Sequence, residues 1–155
     1  MEYNKKVMAY FLKPKNVGEI KNADGIGEVG NITCGDIMKV YIRISKNKQG
    51  KEFIKDIKFK TLGCAAAIAT SSVITELAKG KLLEQAIKIT NKDVLRKLGN
   101  LPQIKHHCSL LAEDALAEAI YNYLKKNKKQ IPKALEIKHE RAIMAEKAFE
   151  KKFKR

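Results

Sequence analysis

The chain has 155 residues, is 45% hydrophobic and 32% charged, and carries a formal net charge of +15. That length closes one hydrophobic core but not two independent ones, which excludes a multidomain machine. No small-residue cleavage motif follows the short apolar run Val7 to Leu12, and no stretch approaches the ~20 apolar residues of a membrane span, so a cytoplasmic location is expected. From Lys125 onward there are 12 basic and 4 acidic residues, a net of +8. A basic tail of this kind can attract phosphate backbones or acidic protein surfaces. It lacks the interleaved aromatics of a single-strand binder, and no zinc finger or helix-turn-helix signature is present, so nucleic-acid binding is not expected as the main function.

Tyr3, Val7, Tyr10 and Phe11 have helical spacing, and Pro14 ends that helix because the residue before a proline is pushed out of the helical region. Gly18 to Gly35 holds five glycines and reads as loop with one irregular edge strand. Met38, Val40, Ile42 and Ile44 alternate with polar residues, predicting a half-buried strand. Asn47 to Gly50 supplies a turn, and Phe53, Ile57 and Phe59 mark an antiparallel hairpin partner.

From Cys64 the pattern becomes helical, with Ala66, Ile68, Ala69, Val73 and Leu77 on a nearly continuous apolar side and Gly80 placed to stop it. A short helix around Leu82 to Ile87 follows. Thr90 reads as the N-cap of the next one, with Asp93 completing a capping box and Gly99 near its end. Leu101-Pro102 opens a loop carrying Lys105, His106 and His107, after which Cys108 or Ser109 starts a long helix with a core stripe at Ala112, Leu116, Ala119, Ile120 and Tyr123. A lysine-rich break with Pro132 leads to a last helix, about 134–153, with Leu135, Ala142 and Phe149 repeating every seven residues. The expected fold class is therefore α+β, a small antiparallel β-sheet packed against several helices, with an extra C-terminal helix.

The three cysteines all sit at element ends: Cys34 in a glycine-flanked loop before a strand, Cys64 at a strand–helix junction, Cys108 at a helix start. An odd number of thiols argues against a disulfide framework and for reduced sulfur. At helix N-termini the dipole favours the thiolate, which makes sulfur a better ligand and nucleophile. Asp36 stands beside Cys34 and His107 beside Cys108, so the sequence offers three sulfur donors and one weaker oxygen or nitrogen donor for a four-coordinate metal site. Gly35 and Gly63 allow close backbone approach. His107 adjoins Cys108 directly and nothing supplies an oxyanion site, which argues against a Cys-His hydrolase.

The runs Pro14-Lys15-Asn16-Val17-Gly18, Cys34-Gly35-Asp36, Phe59-Lys60-Thr61-Leu62-Gly63-Cys64-Ala65-Ala66 and Lys105-His106-His107-Cys108-Ser109-Leu110-Leu111 occur in an order and spacing that resembles the IscU/NifU-type iron–sulfur cluster scaffold family. The resemblance covers residues 2 to about 125. It implies an IscU-like scaffold domain over 1–125, followed here by a basic helical extension over 126–155. It implies further that Cys34, Cys64 and Cys108 hold a nascent 2Fe–2S cluster with Asp36 or His107 as fourth ligand. Sulfur would arrive as a persulfide from a cysteine desulfurase, with Cys108 the suggested acceptor and Cys34 or Cys64 the alternatives, and the finished cluster would pass to apo-proteins. Such a protein is a carrier rather than an enzyme.

Within that set Lys105 can balance thiolate charge or pair with Asp36. His106 falls on the variable position of the Lys-x-His-Cys motif and is expected to face solvent or back up the site; His139 matches nothing and is expected to be exposed. The segment Leu101-Pro102-Gln103-Ile104-Lys105 lacks the second proline by which an Hsp70-type chaperone grips many relatives, which argues against dependence on such a chaperone. Zinc in the same site, in a sulfur acceptor or desulfurase activator, is the alternative reading. Whether the extra helix packs on the domain or mediates self-association is open at this point.

Overall fold

Asn4 opens the first helix, accepting a 2.8 Å hydrogen bond from the Val7 amide, and α1 runs Lys5–Leu12. The structure, a computed structural model, describes residues 3–30 and 35–153, without the side chains of 149, 152 and 153. Three antiparallel strands follow in the spatial order β1 (Gly25–Gly30), β2 (Ile37–Lys46), β3 (Glu52–Leu62). The hairpin between β2 and β3 turns where Asn47 Oδ1 accepts from the amides of Gln49 and Lys51. Then come α2 (Ala65–Ala78), the single-turn α3 (Leu83–Ala86), α4 (Asn91–Leu98), α5 (His106–Lys126) and α6 (Lys133–Phe153). The α+β class expected from the sequence is the observed one.

Met38, Val40 and Ile42 of β2 and Ile57 and Phe59 of β3 turn inward, and α2 and α5 cover them with Val73, Ile74, Leu116 and Ile120. The hairpin register slips between Arg43 and Ile44, so Ile54, fully buried, takes the inward place that simple alternation gives to the only partly buried Phe53. The glycines of β1 have a packing reason: a Cβ at Gly27 would lie 2.3 Å from the Ala115 carbonyl oxygen and 2.4 Å from the Ala119 amide. α5 rests directly on this strand, backbone against backbone.

Thr90 and Asp93 form the expected capping box, the Thr90 amide donating to Asp93 Oδ2 at 2.9 Å, and Gly99 ends α4 in the left-handed region at φ 81°. α5 begins earlier than the sequence suggests. A 3-10 turn, Gln103–Lys105, leads straight into it, so His106, His107 and Cys108 are the first three residues of the helix rather than a loop before it.

α5 is buried nearly all round, not along one stripe, because α6 lies on its remaining side with Leu135 and Ala142 inward. The extra helix therefore packs on the domain. The expectation that His139 is exposed is corrected. His139 stacks on Tyr121, ring centroids 3.6 Å apart, and its Nδ1 lies 2.7 Å from Glu118 Oε1. Of the two places open to His106, the structure has it half-buried with its Nε2 2.9 Å from the Leu101 carbonyl oxygen, bracing the turn that leads into the site. Phe149 falls outside the described side chains.

Candidate metal centre

Cys64 follows the last residues of β3 and is the N-cap of α2. Cys108 sits in the first turn of α5, and Asp36 immediately precedes β2. These three elements meet at one end of the sheet, and their side chains converge. Cys64 Sγ and Cys108 Sγ are 4.0 Å apart; Asp36 Oδ2 is 3.7 Å from the first and 3.8 Å from the second. His107 Nε2 lies 3.5 Å from Cys108 Sγ. Asp36, His107 and Cys108 each place a donor atom within 4.8 Å of the other two. Cys34 lies outside the described residues; Gly35, next to it, adopts φ 74° at the approach to Asp36.

These separations match what a metal ion asks of its ligands. Sulfur bound at ~2.3 Å and oxygen or nitrogen at ~2.0 Å on a tetrahedral ion stand about 3.5 to 3.8 Å from one another. The edges among Asp36, Cys64 and Cys108, 3.7 to 4.0 Å, and that from His107 to Cys108, 3.5 Å, need only a small contraction. The site is also pre-set rather than formed by accident of surface mobility, since Asp36 is 5% exposed and Cys108 fully buried. Gly63 is why the carboxylate fits: a Cβ there would come within 2.8 Å of Asp36 Cγ. The Thr61 hydroxyl donates to the Ile37 carbonyl at 2.7 Å, tying the adjoining strand ends together.

The charges point the same way. The Cys108 thiol beside it holds the Cys64 thiol down to about 5, helped by the Ala67 amide in the first turn of α2 and the positive charge of Lys105, against burial and the Asp36 carboxylate. A thiolate and a carboxylate 3.7 Å apart repel. At an effective dielectric near 20 that costs about 4 kcal/mol, and a cation between them removes the cost. Tyr3 shares this environment: burial raises its phenol, and the negative charges of Cys64, Cys108 and Asp36 add to the effect.

A family model described as the NifU-like N terminal domain matches residues 2–130. The chain belongs to the NifU-like N-terminal domain family. Among curated relatives of this NifU-like chain, "Iron-sulfur cluster assembly scaffold protein IscU 1" of Archaeoglobus fulgidus is 55% identical over 127 residues, 82% of this chain and 80% of the relative. "Iron-sulfur cluster assembly scaffold protein IscU" of Aquifex aeolicus is 45% identical over 125 residues, 81% and 78% of the two chains. Two solved structures share the fold. The N-terminal part of a NifU-like protein from Brucella abortus is 18% identical with TM-score 0.64, over 79% of this chain and 94% of that one. A putative scaffold protein for the SUF system from Fervidobacterium islandicum AW-1 is 24% identical with TM-score 0.59, over 76% and 96%. The family match ends at residue 130, before α6 begins at Lys133.

Sequence reasoning picked out the donors but missed the acidic flank of α5, where Glu113, Asp114 and Glu118 are buried against α6. A usable signal was present: three carboxylates inside an otherwise apolar helix, followed by Lys138, His139 and Arg141 on the next one.

Proposed function

We propose that this NifU-like protein is a scaffold on which an iron–sulfur cluster is assembled and from which it is handed on. One observation carries the reading: two thiol sulfurs and a carboxylate oxygen, drawn from three separate elements, stand 3.7 to 4.0 Å apart at ligand spacing. The relatives named as scaffolds support it at 45 to 55% identity. The cluster is cargo here, and the chain's own residues perform three tasks.

Cys64, Cys108 and, by its place in the motif, Cys34 supply thiolates, the donors that iron–sulfur clusters prefer. Asp36 or His107 supplies the fourth, poorer donor, so the grip is firm enough to build on and weak enough to release. Lys105, at the N-cap of α5, offsets part of the accumulated negative charge. In this reading sulfur comes as a persulfide from a cysteine desulfurase, Cys108 being the proposed acceptor, and the recipients are apo iron–sulfur proteins. The reading is of a cytoplasmic carrier with reduced, non-disulfide thiols at Cys64 and Cys108, not of a catalyst with turnover of its own.

Zinc fits the same edges, and a zinc-holding desulfurase activator would use the same donors. Anaerobic reconstitution with iron and sulfide separates the two. The scaffold reading expects a red-brown protein with about 2 iron and 2 labile sulfides per site. Tight zinc binding with no cluster formed under those conditions overturns it.

A further inference from the structure

Glu113, Asp114 and Glu118 lie on α5 below its ligand-bearing first turn, each less than 8% exposed. Their cationic partners come from α6. Arg141 Nε donates to Asp114 Oδ1 and Arg141 Nη2 to Glu113 Oε2, both at 2.9 Å. Lys138 Nζ stands 3.3 Å from Glu113 Oε2 and donates to the carbonyls of Ile87 and Ile89 at 2.6 and 2.9 Å. His139 meets Glu118 and stacks on Tyr121. From α4, the Asn91 amide donates to Glu113 Oε1 at 2.7 Å. The surface thus receives two cations, Lys138 and Arg141, at Glu113 and Asp114 and an imidazole at Glu118.

This contact is specific but weakly held. Burial raises the Asp114 and Glu118 carboxyls above the usual carboxylate range even with Arg141 and His139 beside them, so the desolvation of these groups outruns the ion pairs. Among the α6 side chains described, Leu135 and Ala142 are the buried apolar ones and Ile143, Ala145 and Ala148 are half-buried, so the ion pairs carry a large share of the contact. We infer that the acidic flank of α5 is a docking surface for a basic helix, and that α6 is its tethered, releasable occupant. The short tether, residues 127–132, keeps α6 at an effective concentration on the order of millimolar, so it stays docked most of the time. When α6 lifts, Glu113, Asp114 and Glu118 face a partner helix bearing two cations at the spacing of Lys138 and Arg141.

Native-state hydrogen exchange on the full chain tests this. The α6 amides are expected to exchange at least about tenfold faster than those around Leu116 and Ile120, by an opening below global unfolding. Arg141→Gln is expected to speed α6 a further tenfold or so, leaving the Leu116–Ile120 segment as protected as before, with Arg141→Lys closer to the parent. Exchange of α6 and α5 together at the global rate, or an Arg141→Gln effect spread equally over both, overturns the releasable helix. For the docking surface, a labelled peptide of residues 131–153 is expected to bind the Arg141→Gln chain at least about tenfold more tightly than the same peptide carrying Arg141→Gln. Equal affinity, or no binding, overturns that half.

Discussion

Cys64, the N-cap of α2, and Cys108, in the first turn of α5, bring their Sγ atoms to 4.0 Å from each other although 44 positions separate them in the chain. Each helix start contributes one sulfur, and Asp36 from the head of β2 reaches both.

That contact predicts an acidic Cys64 thiol. Its alkylation rate by iodoacetamide, followed by mass spectrometry of the peptide that carries it, is expected to stay nearly level from about pH 8 down to pH 6 and to fall with a midpoint at about 5. Cys108→Ser removes the largest cause of the depression and is expected to move the midpoint up toward the ordinary thiol range near ~8.5. Because the folded-state value lies below the unfolded one, the thiolate's contribution to stability is complete above the unfolded value and is lost as pH falls through about 5. A midpoint above 8 in the parent chain would contradict the placement of these sulfurs.

Asp36→Ala is expected to slow transfer of a preassembled cluster to an apo 2Fe–2S protein by roughly tenfold. The substitution deletes the exchangeable oxygen donor, whose carboxylate stands 3.7 Å from the Cys64 sulfur. Transfer monitored by circular dichroism gives the rate; an unchanged rate removes Asp36 from the release step.

Gly63→Ala places a methyl carbon 2.8 Å from Asp36 Cγ and 2.9 Å from Ala67 Cβ, so the carboxylate must move. Zinc or cobalt affinity, measured by titration of the apo-protein, is expected to fall about tenfold while the domain loses about 1 to 3 kcal/mol of stability. Affinity equal to the parent's would show that the Asp36 position is not critical.

Gly27→Ala should act on the fold alone. With the Ala115 oxygen at 2.3 Å, the Ala119 nitrogen at 2.4 Å and Glu118 Cβ at 2.8 Å, the new methyl meets the α5 backbone itself, and α5 must lift from β1. A loss of about 3 kcal/mol in urea unfolding is expected, the upper end for overpacking. A loss under 1 kcal/mol would mean that α5 does not lie this close to the strand.

Much of this was legible beforehand. The Thr90–Asp93 cap, the Gly99 stop, the hairpin at Asn47 and the helical run after Cys64 depend on neighbours in the chain, and neighbours are what a sequence displays. The inward choice of Ile54 over Phe53 was not, because a register slip at Arg43/Ile44 belongs to the pairing of two strands. The start of α5 was missed by two residues since His106 and His107 look like loop until the Gln103–Lys105 turn feeds them into the helix.

What the sequence determined by itself was the chemistry available: three thiols, Asp36, His107 and Lys105, and a basic last helix with a seven-residue apolar repeat. Composition and short-range spacing are enough for that. Tertiary structure alone decided that Asp36, Cys64 and Cys108 converge at one end of the sheet, and that Glu113, Asp114 and Glu118 meet α6's side chains inside the molecule. Both are matters of which distant segments touch, and the energy of a buried charge depends on what folding places against it.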